Sequence, residues 1–153
     1  MARGKALDRG KGLERGAPMR SAPTARTAAR RAPAARTGPT TATRGRVLER
    51  DGFRCVRCGV SIEGRPHNVH HRDPRGMGGT SDPAANSPAN LITVCGSATT
   101  GCHGWIEGNR AAAAELGFLV LMGERADGKP LPVHGVGLRL LTAGGEYAVA
   151  ALG

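Results

Sequence analysis

The apolar positions of this chain fall in short runs separated by glycine, and their periods predict a small mixed fold. Arg46-Val47-Leu48-Glu49-Arg50-Asp51-Gly52-Phe53 reads as a short helix stopped by Gly52, with Val47, Leu48 and Phe53 as its apolar contacts. Residues 54 to about 72 alternate knuckle and strand signals, and Gly76 to Ala89 is a long loop of Gly, Ser, Asp and Pro. Leu91 to Val94 is a β-type run ending at Cys95, and His103 to Leu116 reads as one helix carried by Ala111 to Ala114 and closed by Gly117. The order is therefore strand, loop, strand, helix.

After Gly117 the pattern shifts to β-type runs: Phe118 to Met122, Leu138 to Leu141 and Tyr147 to Val149, with turns at Asp127-Gly128 and Gly144-Gly145. Two or three such strands are marginal alone, so they are expected to pack on the preceding core. The first 43 residues carry no large apolar side chain beyond Leu7, Leu13 and Met19, too few to offset their conformational entropy, and they read as a disordered arm. No internal repeat is evident.

Length and charge narrow this picture. A chain of 153 residues holds one compact domain with flanking segments, and two full domains would be cramped. Its net charge is +10, and Met1 to Arg46 holds twelve Lys and Arg against Asp8 and Glu14, which accounts for the whole excess. A basic arm suits a polyphosphate partner, because each neutralised phosphate releases a condensed counterion. The alternative is a solubilising leader, rich in Arg and Ala, that binds nothing. No run approaches the roughly 20 apolar residues of a membrane span, and the N-terminus lacks a signal-peptide core, so a cytoplasmic protein with no membrane partner is expected.

Aromatics make up only 3% of the residues, so the core needs a staple, and the four cysteines are the natural source of one. Cys55-Val56-Arg57-Cys58 followed by Gly59 lets two thiolates reach one ion from a tight turn. Cys95 and Cys102 form a wider second pair, across a six-residue loop to which Gly96 and Gly101 give freedom. Four thiolates fit a tetrahedral structural Zn²⁺, with redox cysteines or unrelated buried thiols as the other readings.

Between the cysteine pairs lie Val69-His70-His71-Arg72-Asp73-Pro74-Arg75, then Asn90 ahead of Cys95 and His103 directly after Cys102. Adjacent strand residues point to opposite faces, so His70 and His71 are expected to have different tasks. This run, with Arg50-Asp51-Gly52 and both cysteine pairs, resembles the HNH endonucleases, especially the small ones of bacteriophages, over about residues 46 to 110. The resemblance implies that His70 and His103 hold a catalytic divalent ion, that His71 is the general base, and that Asn90 braces that base across the loop.

Many such endonucleases carry a further His four residues along the helix, where this chain has Glu107. At i+4 from His103 it could reach the same ion and would favour a hard cation such as Mg²⁺ or Mn²⁺; a surface pair with Arg110 is the competing reading. Arg72 and Arg75 are candidate phosphate contacts, with ordinary surface charge as the alternative. His67 and His134 lie outside the motif, and Trp105 is read as core.

The fold expected is α+β: a zinc-stapled ββα-metal core over residues 44–116, a disordered basic arm over 1–43, and a short β extension over 117–153. The resemblance implies hydrolysis of DNA phosphodiesters by nicking or double-strand cleavage, and a phage terminase as a packaging partner; little sequence preference is expected because no base-reading module is visible. Two other classes remain. One is a zinc-knuckle nucleic-acid-binding protein without catalysis, and the other an interaction module whose working surface is the β extension.

Overall fold

A computed structural model describes residues 38–75, 80 and 82–150 of the chain. The expected arm, residues 1–43, lies outside these apart from its last six residues, and Thr41 to Thr43 are helical. Helix α1 spans Thr41–Arg50, five residues more than the apolar pattern suggested on its N-terminal side, because the Thr40 hydroxyl caps it by accepting from the Thr43 N–H. It ends as expected at Gly52, which takes φ +61, while Gly52 N–H donates to Glu49 O and Phe53 N–H to Leu48 O. Phe53 itself is 45% exposed rather than an apolar contact of the helix.

Strands β1 (His67–His71) and β2 (Leu91–Cys95) form an antiparallel pair with His67 opposite Cys95 and His70 opposite Ile92. Helices α2 (Gly101–Gly108) and α3 (Arg110–Glu115) follow. The single helix expected over 103–116 is thus broken at Asn109, whose φ of −126° and ψ of 51° are not helical. Both the backbone N–H and the side-chain amide of Asn109 donate to Trp105 O, which terminates one helix before the Asn109 carbonyl starts the next.

The C-terminal part differs more. Phe118 to Met122 is not a strand: Phe118, Leu119 and Val120 are buried as irregular backbone, with Leu119 N–H donating to Ala113 O and Val120 N–H to Arg72 O. An apolar run satisfied by burial on both sides has the same composition as a strand. The sheet that forms instead joins β3 (Leu131–Val133), β4 (Gly137–Leu141) and β5 (Tyr147–Val149) in that order, all antiparallel. Strand β3 contains Pro132, which is tolerated because the strand lies at a sheet edge.

This sheet packs on the ββα segment, as expected of strands too few to stand alone. Leu131, Val133 and Leu141 share one buried cluster with Ile92, Val94, Ile106, Phe118 and Leu119. A polar knot fastens the layers from the other side. Asp51 accepts from Arg50, from the Thr93 backbone N–H and from the Tyr147 hydroxyl, each at 2.7 Å, while Arg50 also donates to Pro88 O and Leu91 O. Among the described residues no helix is long and apolar enough to cross a membrane.

Arg72 corrects the sequence reading. It is fully buried, and its guanidinium donates to Gly117 O (2.7 Å), Ala126 O (2.9 Å) and Lys129 O (2.6 Å), so it cannot reach a phosphate. Burial, with Arg50 nearby, lowers its pKa to about 10, still charged at neutral pH. It straps the end of β1 to the segment that leads into the C-terminal sheet.

Candidate metal centres

The four cysteines converge, although they come from two places far apart in the chain. Cys55 and Cys58 flank a turn in which Gly59 N–H donates to Cys55 O and Gly59 takes φ +72. Cys95 ends β2 and Cys102 lies in the first turn of α2. The loop between them folds tightly: a Cβ at Gly96, itself at φ +90, would lie 2.0 Å from Thr100 O, so only glycine closes it. The second pair thus reaches the first despite its wider spacing.

All four thiols are free, and their sulfurs lie within 4.8 Å of one another. The Cys58 and Cys95 sulfurs are 3.7 Å apart. Zn–S bonds of about 2.3 Å give a tetrahedral edge of about 3.8 Å, so the spacing is compatible with zinc. These cysteines are positioned to bind a metal ion.

The surroundings act on the thiolate form that such an ion would need. Burial pushes the Cys55 and Cys102 thiols up. Burial acts on Cys58 in the same sense, but the Val60 backbone and the neighbouring thiols outweigh it and lower its pKa. A cation among the four offsets the burial that opposes thiolate formation. Arg57 adds a fixed positive group: its Nη1 donates to Cys102 Sγ at 3.6 Å while the guanidinium stacks 3.8 Å above the Trp105 ring. Trp105 is partly buried against the core, as read from sequence.

On the adjoining face, the side chains of β1 divide as the two-residue period requires. His70 is buried and turns toward α2, where its ring meets that of His103 edge to face at 5.1 Å. Glu107, one turn on, places Oε1 at 3.9 Å from both His70 Nδ1 and His103 Nε2. These three ligand atoms lie within 4.8 Å of one another and form a second group able to hold an ion. Glu107 also satisfies its competing reading, because its other oxygen pairs with Arg110 Nη1 at 3.1 Å. Each carboxylate oxygen has its own partner.

The remaining ring nitrogens, His70 Nε2 and His103 Nδ1, are buried without hydrogen-bond partners. Burial, then the neighbouring His103, His71 and Arg110, lower the His70 pKa to about 3. A neutral imidazole is the form that ligates a metal.

His71 points away from this trio and is half-buried. Its pKa is lowered, mainly by burial and also by the charges of Arg75 and Arg44, while a hydrogen bond to Asn86 and the charge of Asp73 act in the opposite sense. The Nε2 of His71 and Oδ1 of Asn86 are 3.0 Å apart. The side-chain hydrogen bonds of Asn90 go elsewhere than His71. Asn90 is buried, accepts from Asp73 N–H at 2.7 Å, and donates to Asp73 O and Ala85 O. Asn90 therefore clamps the two ends of the loop, and the direct brace expected of it comes from Asn86.

Asn86 and Arg44 are the residues that the sequence reading missed. Asn86 ends a 3-10 turn, Pro83–Asn86, inside a run of Pro, Ala, Ser and Asn that carries no chemical signature. Arg44 counted only toward the charge of the arm, yet from α1 its charge helps to lower the His71 pKa. Arg75 is half-buried and its charge acts on the same histidine, whereas Arg72 is enclosed elsewhere. Comparison with known proteins adds nothing to this geometry: no family model, no curated protein and no solved structure matches the chain.

Proposed function

We propose that the chain is a metal-dependent endonuclease of the HNH type that hydrolyses DNA phosphodiester bonds. The observation that carries this reading is the division of β1. His70 lies with His103 and Glu107 in one group of potential ligands, while its neighbour His71 stands apart with its pKa lowered by burial and by the charges of Arg75 and Arg44. Phosphodiester hydrolysis needs both parts, a cation for the charge on phosphate and a base for the water.

His70, His103 and Glu107 would hold the ion, and the mixed imidazole and carboxylate set accommodates Mg²⁺ or Mn²⁺. Such an ion, when bound, would supply Lewis-acid stabilisation of charge on the phosphate and the departing 3′ oxygen. His71 takes the proton of the attacking water, and its lowered pKa keeps its lone pair available near neutral pH. Arg44 and Arg75 raise the positive potential on the side from which a phosphate approaches. The cysteine centre holds structural zinc and fixes β2 and the start of α2, and with them His103 next to Cys102. The terminase partner implied by the resemblance is carried forward as part of this proposal.

The test is incubation of the purified chain with supercoiled plasmid in Mg²⁺ or Mn²⁺, with and without chelator. Nicked or linear product that disappears with chelator is expected. No cleavage with any divalent ion would leave a zinc-knuckle DNA-binding protein without catalysis as the better reading.

A further inference from the structure

We propose, resting on the endonuclease reading, that Asn86 is the positioning residue of the reaction and fixes which nitrogen of His71 serves as base. The amide oxygen of Asn86 faces His71 Nε2 at 3.0 Å. An amide oxygen only accepts, so this contact is a hydrogen bond only when the proton sits on Nε2. The lone pair then resides on Nδ1, and Nδ1 is the atom that takes the proton of water.

The surrounding loop is built to hold that contact. Asp82 caps the 3-10 turn through its side chain, accepting from Ala84 N–H at 2.8 Å, and Ser87 N–H closes the other end on Ala84 O. Asn90, buried within the fold, donates to the carbonyl of Ala85, the residue directly before Asn86. The same Asn90 accepts from Asp73 N–H, two residues past His71, and its own carbonyl accepts from Arg72 N–H. One buried asparagine therefore ties the backbone on the His71 side to the backbone on the Asn86 side. The asparagine of the motif holds the loop, and a second asparagine outside the motif holds the base.

This arrangement uses an orienting partner in the way that histidine bases generally do. An imidazole left free exchanges its proton between nitrogens and rotates about χ2, whereas one acceptor on one nitrogen fixes both tautomer and ring plane. Asn86 is only partly buried and belongs to neither apolar cluster and to neither candidate metal centre, so its replacement removes no core side chain and no ligand.

The experiment has two readouts on the full, zinc-loaded chain. Imidazole ¹⁵N shifts assign the His71 tautomer, and single-turnover nicking of supercoiled plasmid in Mg²⁺ or Mn²⁺ gives the rate. The wild type should carry the Nε2–H tautomer. Asn86→Leu should lose that preference and slow cleavage by about 10- to 100-fold with plasmid affinity unchanged, a smaller loss than removal of the base itself. Asn86→Asp retains an acceptor and should retain the tautomer and most of the rate. Should Asn86→Leu fail to hold zinc, Asn86→Ser takes its place.

The inference is overturned by an Nδ1–H tautomer in the wild type, which would mean that the amide nitrogen donates to Nε2. It is equally overturned if Asn86→Leu cleaves as fast as wild type while His71→Ala does not. The tautomer requires no turnover, so a wild-type chain that shows Nε2–H and never nicks refutes the endonuclease reading while leaving the hydrogen bond standing.

Discussion

Replacing Arg72 by Met separates the structural account of this residue from the reading its position in the sequence invites. The side chain is fully buried and donates three hydrogen bonds, to Gly117 O, Ala126 O and Lys129 O. Hydrogen bonds from a charged donor contribute about 1.5–3 kcal/mol each. Desolvation of the guanidinium opposes them: a pKa lowered from 12.5 to about 10 corresponds to roughly 3 kcal/mol against the charged form.

Methionine fills similar volume but leaves the buried Gly117 carbonyl without a partner, while the Ala126 and Lys129 carbonyls, at part-buried contacts, can take up water. A net loss of about 3 kcal/mol follows, or about 150-fold in the folding equilibrium. Urea denaturation at fixed free zinc measures it, with the midpoint falling and the slope unchanged. A loss below about 1 kcal/mol would refute the strap. So would unchanged stability accompanied by weaker DNA binding, the signature of a phosphate contact.

Three further outcomes follow from the same structure. Cys102→Ser should abolish about one bound zinc per chain and cooperative folding with it, since structural zinc contributes about 10–16 kcal/mol in small domains; a zinc-free chain that stays folded would contradict this. Tyr147, whose pKa is raised by burial and by Asp51, keeps its proton in the folded chain above the pH where the unfolded chain loses it. Its contribution is therefore whole below about pH 10 and lost as pH rises through the higher folded value, so Tyr147→Phe should flatten the alkaline limb of the stability profile. Deleting residues 1–37, which carry ten of the basic side chains, should weaken DNA binding and flatten its dependence on salt, and an unchanged slope would mean that this segment makes no phosphate contacts.

The parts of this protein that could be read from the sequence are those in which spacing alone constrains geometry. Cysteines paired across a tight turn, Cys55 with Cys58, and across a glycine-containing loop, Cys95 with Cys102, could reach a common point, and adjacent histidines on a strand had to face opposite ways, as His70 and His71 do. Glu107 came within reach of His103 because four residues make about one helical turn. Whatever depended on distant partners was hidden. Arg72 looked like a surface cation until three carbonyls from residues 117–129 enclosed it. Phe118 to Val120 has strand composition but is held by Ala113 and Arg72 rather than by a neighbouring strand. Asn86 meets His71 in a loop that Asn90 closes through the Ala85 carbonyl, a contact between residues fifteen apart that no local spacing announces.

The central claim is that β1 presents a metal ligand and a base side by side. Its most direct test is the single-turnover nicking rate of His71→Ala beside its Mn²⁺ affinity. The rate should fall by about 10²- to 10⁴-fold with ion binding retained, because the proposed ion would be held by His70, His103 and Glu107. A His71→Ala chain that nicks at the wild-type rate would contradict it.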